Sequence, residues 1–140
     1  NKLTSISAAN YNSPSQIVIT GPEDDIINSQ SVFEKAGARM YIPLKVSGAF
    51  HSPYMKPAAD EFSSFIDQFV FNDLKIPVIS NINATPYDQD KIKETLINQI
   101  TSPVRWNESI HYLMDKGETD FIEVGPGKVL TGLLKQNLKR

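Results

Sequence analysis

The sequence predicts an α/β fold, on three observations. In the second half, short β-branched runs alternate with longer amphipathic stretches, the pattern of βα units on a parallel sheet. The first half opens instead with two β-like runs, SISAANY and SQIVITG, joined by NSPS, whose Asn, Ser and Pro favour a turn. The 140 residues are 40% apolar and 21% charged, an ordinary globular composition for about one domain with a buried core.

Taken in order, the two β-like runs form a hairpin. Gly21 and Pro22 end it, and Glu23, Asp24 and Asp25 fall in the first turn of a helix, where acidic residues suit the dipole. Ile26, Ile27 and Phe33 are its expected buried side, and Gly37 stops it. RMYIPLKVSG follows as a strand leading up to His51. Pro53 is an early helix residue ahead of Met55, Ala58, Ala59, Phe62, Phe65, Ile66 and Phe69, which fall at helical spacing and give one apolar face. KIPVISNI reads as a buried strand. Asp90 to Ile100 is a helix with Ile92, Leu96, Ile97 and Ile100 on one face. A further helix after Pro103 buries Trp106, Ile110, Leu113 and Met114 and ends at Gly117. DFIEVGPGKVLTGLLKQNL closes the chain as strand, tight turn and helix.

Bulk composition removes several function classes. Lys and Arg number 14 against 16 Asp and Glu, so no basic surface asks for nucleic acid. The absence of cysteine excludes disulfides, thiolate nucleophiles and cysteine zinc sites. His51 and His111 are far apart with no acidic residue at ligand spacing, which argues against a histidine metal site. No apolar run approaches the ~20 residues of a membrane helix, and no signal peptide opens the chain. The expectation is a cytoplasmic protein with neither membrane nor nucleic acid as partner. Asn1-Lys2-Leu3 carries no initiator methionine and leads at once into a strand-like run, as expected of a fragment that begins inside a domain.

The chemistry-bearing residues are few. Gly125-Pro126-Gly127-Lys128 invites a phosphate-loop reading, but Ile122 and Val129 occupy the positions where that motif needs Gly and Ser or Thr. What remains is a sharp turn into a helix. His111 lies beside the apolar stripe of its helix and reads as a surface residue. Asp24, Asp25, Asp88 and Asp90 sit at helix starts, where capping explains them. His51, in VSGAFHSPYM at a strand-to-helix corner, is the one candidate base. A core histidine with satisfied nitrogens is the alternative. A base serves a nucleophile, yet no serine here lies in a G-x-S-x-G elbow, and the adjacent Ser52 is poorly aimed. If His51 is catalytic, its serine is expected upstream of Asn1.

Four stretches carry a resemblance: AANYNSPSQIVITG, VSGAFHSPYM, NQITSPVRWNESI with its Gln-x-x-x-Pro-Val-x-Trp pattern, and FIEVGPGKVLTGLLK. Their order and spacing over nearly the whole chain resemble the malonyl-CoA:acyl-carrier-protein transacylase family, including the acyltransferases of fatty acid and polyketide synthesis. The resemblance implies an α/β-hydrolase-like large subdomain with a ferredoxin-like small subdomain inserted. Residues 1–50 would be part of the small unit and residues 51–140 the C-terminal part of the large one. The N-terminal half of the family, which carries the elbow serine, an oxyanion-hole glutamine and a carboxylate-binding arginine, would then be a partner of this one.

By the same resemblance His51 is the base of a Ser-His ping-pong transfer of malonyl from malonyl-CoA to the phosphopantetheine thiol of acyl carrier protein. Its ring is oriented by the backbone carbonyl of Gln99 rather than by an aspartate. Phe50 would contact the acyl group, and Asn10 and Asn12 would border the cleft, although hairpin turn chemistry accounts for the asparagines equally well. No cofactor and no metal are implied, malonyl-CoA being a substrate. Two rival readings use the same residues differently: a hydrolase that releases acyl groups from a carrier protein, and a non-catalytic docking fragment.

Overall fold

Strands β1 (Ser7–Ser13) and β2 (Gln16–Thr20) form an antiparallel hairpin. Its register runs from Ser7 opposite Thr20 to Ser13 opposite Gln16, with irregularities between Ala8 and Asn10 and between Tyr11 and Ser13. The computed structural model describes residues 3–139; Asn1, Lys2 and Arg140, and with them the opening Asn1-Lys2 pair, lie outside the described residues. Among the described residues five helices follow: α1 (Glu23–Lys35), α2 (Lys56–Ile66), α3 (Ile92–Thr101), α4 (Trp106–Asp115) and α5 (Val129–Asn137). Short 3₁₀ turns, Pro53–Met55 and Gln89–Lys91, lead into α2 and α3.

The helix ends lie close to where the sequence indicates, except that α2 stops at Ile66, short of Phe69. Glu23, Asp24 and Asp25 occupy the first turn of α1. Gly37 and Gly117, with φ of 102° and 92°, take the left-handed conformation that ends α1 and α4. Pro103 pushes Ser102 into extended backbone (φ −115°, ψ 150°), so α3 stops at Thr101. Helix α2 packs on α3, with Ala59, Ile66 and Ile92 buried there. Helix α4 lies against β1 and α5, with Ile110 and Leu133 buried. Each fully buried aliphatic side chain contributes about 1.5–3 kcal/mol relative to exposure.

The strands were less predictable than the helices. RMYIPLKVSG, KIPVISNI and the DFIEV stretch were expected as strands, yet none forms one, and no parallel sheet is present among the described residues. KIPVISNI contributes one antiparallel bridge, Ile79 to Pro86, and Asn10 makes a parallel bridge to Val104. A strand needs a neighbour for its backbone N–H and C=O groups, and along these runs the described residues supply none beyond the isolated bridge. Their apolar side chains are accordingly exposed: Met40, Ile42, Leu44 and Val46 in strict alternation, Ile76, and Ile122 and Val124 at 87% and 93%. The expected helix faces narrow for a related reason. Ile27 of α1, Ala58 and Phe65 of α2, and Phe69 just beyond it are exposed, with the two phenylalanine rings 5.0 Å apart.

Glu123 holds the start of α5. Its carboxylate accepts from the backbone N–H of Leu130 (3.1 Å) and Thr131 (2.9 Å) and from the Thr131 hydroxyl (2.6 Å). It thereby satisfies donors that a helix N-terminus leaves open. Gly125 and Gly127, at φ of 139° and 92°, let the chain double back so that Glu123 reaches them. These bonds, the Thr131 hydroxyl first, lower the Glu123 pKa from its ordinary value. A depressed carboxylate contributes stability above the unfolded pKa, about 4.3 for Glu, and loses it as pH falls through the lower folded value. Glu123→Gln should therefore melt below the parent at pH 7, with the gap closing below about pH 4. Thermal unfolding across that pH range checks this; a gap independent of pH would contradict it.

Candidate active site

His51 sits at the corner between the irregular 39–48 stretch and the Pro53–Met55 turn, with φ of 57°. A left-handed non-glycine residue costs about 1–3 kcal/mol, so its surroundings must hold it there. Ser52 does part of this. Fully buried, its hydroxyl donates to Ala49 O (2.5 Å) and accepts from Tyr54 N–H (3.3 Å), bracketing His51 on both sides. Each such bond is worth about 1 kcal/mol. With its oxygen committed to the turn, Ser52 is a cap and not a nucleophile.

The second restraint comes from α3. His51 Nδ1 lies 3.1 Å from the carbonyl oxygen of Gln99. In a helix that carbonyl would accept from the N–H of residue 103, and Pro103 has none. The proline at that spacing leaves the acceptor open for the imidazole. A carbonyl can only accept, so Nδ1 must carry the proton, and Nε2 keeps the lone pair. The contact thus selects the tautomer in which Nε2 is a base.

The remaining candidates are arranged as follows. Phe50, next to His51, is 46% exposed, and its ring approaches to 3.7 Å of where a Cβ on Gly48 would stand. Asn10 is half-buried in β1, whose neighbour Tyr11 donates to Val104 O (2.8 Å) while Val104 donates to Ala9 O (2.8 Å). The stretch from Gln99 to Val104 therefore links the histidine's acceptor to the hairpin. Asn12 is engaged in the hairpin itself. Its amide donates to Gln16 Oε1 (3.0 Å), and its carbonyl accepts from the Asn137 side chain (2.9 Å).

Other sequence candidates are accounted for by local structure. Asp88 caps the turn before α3 by accepting from Asp90 N–H (3.1 Å), and Asp25 accepts from the Ser5 hydroxyl (2.6 Å). The helix start after Gly127 is occupied by Glu123, so a phosphate would meet a carboxylate there. His111, expected at the surface, is half-buried because α4 is covered by both β1 and α5. Among the described residues no group of three or more His, Asp or Glu could hold a metal ion, and no helix is long and apolar enough to cross a membrane. An open groove of about 330 Å³, lined by residues 74–78, Pro86, Tyr87 and Gln89, includes neither His51 nor Phe50.

Sequence reasoning missed one neighbour of the site. Tyr87 Oη donates to Gln99 Oε1 (2.9 Å), so the residue whose backbone meets His51 is also held by its side chain. Burial raises the Tyr87 phenol pKa, keeping it a donor. Nothing in the sequence marks Tyr87, which follows Pro86 in an irregular turn.

The family model for the acyl transferase domain matches residues 2–140. A polyketide biosynthesis malonyl CoA-acyl carrier protein transacylase from Bacillus velezensis is 54% identical over 133 residues, which cover 94% of this chain and 46% of that protein. A malonyl CoA-acyl carrier protein transacylase from Bacillus subtilis is 46% identical over 136 residues, 96% of this chain and 43% of that one. Among solved structures, an acyl carrier protein S-malonyltransferase from Vibrio cholerae superposes with a TM-score of 0.91 at 44% identity, covering 96% of this chain and 44% of its own. A malonyl-transacylase solved in complex with a type II PKS acyl-carrier protein gives a TM-score of 0.91 at 34% identity, with 95% and 43% coverage. The fold shared with these structures is α/β. The chain spans less than half the length of each of these relatives.

Proposed function

The chain belongs to the acyl transferase domain family, and on that premise we propose that it forms the histidine-bearing part of a malonyl-CoA:acyl-carrier-protein transacylase. One observation carries the proposal: the 3.1 Å contact of His51 Nδ1 with the Gln99 carbonyl, which leaves Nε2 able to take a proton. The relatives at 54% and 46% identity, named as transacylases of this kind, support the substrate assignment. In this reading residues 1–50 belong to a ferredoxin-like small subdomain and residues 51–140 to the hydrolase-like large one. The share of the family fold outside these 140 residues supplies a serine, an oxyanion-hole donor and a carboxylate-binding arginine.

The reaction runs in two halves. His51 Nε2 accepts the proton as the serine hydroxyl attacks the thioester carbonyl of malonyl-CoA. Backbone N–H groups hold the oxyanion of the tetrahedral intermediate. The intermediate collapses by breaking the C–S bond, and the imidazolium returns its proton to the CoA thiolate. In the second half Nε2 takes the proton of the phosphopantetheine thiol. The thiolate attacks the malonyl-serine ester, and the serine leaves with that proton. No aspartate is required, because a neutral carbonyl holds Nδ1 through both halves. Malonyl-CoA and acyl carrier protein are the partners in this reading, and no cofactor takes part.

In the complete enzyme His51→Ala should lower malonyl transfer by about 10²–10⁴-fold, the usual share of a general base, with the fold kept. Single-turnover labelling of the acyl-enzyme measures it; labelling at the parent rate would remove His51 from the mechanism.

Phe50 is proposed to set acyl choice. In this reading the half-exposed ring, next in sequence to the base, crowds the α-carbon of the bound acyl group, so that malonyl is tolerated and a branch methyl is resisted. Discrimination over one methyl is worth ~1–3 kcal/mol, or roughly 10–200-fold. Phe50→Ser should raise the kcat/KM for methylmalonyl-CoA relative to malonyl-CoA within that range. An unchanged ratio in a folded variant would assign the ring to packing alone.

A further inference from the structure

The turn between Ser80 and Tyr87 grips the Gln99–Arg105 stretch at both ends. At one end Tyr87 Oη donates to Gln99 Oε1 (2.9 Å). At the other, Arg105 N–H donates to Asn81 O (2.7 Å) and the Arg105 guanidinium donates to Ile82 O (3.2 Å). The turn is itself well tied. Ser80 is fully buried, its N–H donates to Thr85 O (2.8 Å), its carbonyl accepts from Ala84 N–H (2.8 Å), and Tyr87 N–H donates to Val78 O (2.9 Å).

Between these two anchors lies the last turn of α3, whose carbonyls have no helical donors ahead of them and which fray readily. Gln99 stands in that turn with both of its acceptors in use: the backbone oxygen on His51 Nδ1 and the side-chain oxygen on Tyr87. Fixing the side chain restrains the residue's backbone, and with it the oxygen that sets the imidazole's direction. We infer that Tyr87 is a positioning residue for His51, acting through Gln99 to hold the carbonyl on which the base is aligned. The inference rests on the reading of His51 as the base.

It assigns the Gln99 side chain a part that a backbone acceptor alone does not need. Removing either member of the Tyr87–Gln99 pair should have the same consequence, since each breaks the same bond.

The test is a double-mutant cycle in the complete transacylase, with Tyr87→Phe, Gln99→Ala, the double variant and His51→Ala. Single-turnover acylation by malonyl-CoA is read alongside KM. The loss of one hydrogen bond corresponds to roughly 3–10-fold in rate. Tyr87→Phe and Gln99→Ala should each slow acylation by about that factor with KM unchanged, and the double variant should be no slower than the singles. Parent-like rates in both single variants, a loss that falls on KM instead of the acylation rate, or additive losses in the double would overturn the positioning role while His51→Ala remained inactive. Full activity in His51→Ala would instead overturn the reading of the base, and the inference with it.

Discussion

The carbonyl of Gln99 is the constraint on which the site depends. A helix normally uses such a group internally, and here it cannot, because the residue four positions on is Pro103. The same proline forces Ser102 into extended backbone, ends α3, and sends the chain straight past β1. One residue thus frees an acceptor, terminates a helix and directs the next segment. The acceptor it frees is the one His51 uses.

From that point the packing follows. Val104 exchanges backbone bonds with Ala9 and Tyr11, which fastens the hairpin to the segment, and Arg105 bonds to Asn81, which fastens the 80–87 turn. Helix α4 then starts from an anchored Arg105 and runs against β1, while α5 packs on both. On the other flank the His51 corner leads through the Pro53–Met55 turn into α2, which packs on α3, the helix that carries Gln99. The strained backbone at His51 is tolerable because Ser52 on one side and Gln99 on the other restrain it. Two or three bonds of about 1 kcal/mol each match a left-handed penalty of about 1–3 kcal/mol.

Much of this was legible in the sequence, for reasons that can be named. The helices announced themselves through period, acidic first turns and terminal glycines, all local signals. His51 stood out because composition had removed the competing chemistries and because the residues around it match a family pattern. The hairpin strands formed as expected, whereas the three later strands did not, because a strand is a pairing and not a local state. The alternating Met40, Ile42, Leu44 and Val46 carry the pattern of one, yet the described residues give them no neighbour. The exposure of Phe65 and Phe69 follows from the same shortage of partners. Tyr87 was invisible because its role depends on a side-chain contact twelve residues away, across a turn whose shape comes from buried Ser80 and its bonds to Thr85 and Ala84. The Asn12 side chain had two readings in sequence, and its bond to Gln16 is compatible with either.

The Gln99 carbonyl selects the Nδ1–H tautomer of His51 and leaves the lone pair on Nε2. Nitrogen-15 NMR of the histidine side chains, at a pH where His51 is neutral, tests this most directly. The account predicts that the His51 ring proton resides on Nδ1 and that Nε2 is unprotonated. A His51 ring carrying its proton on Nε2 would contradict it, because the Gln99 carbonyl would then face a lone pair and the base would be blocked.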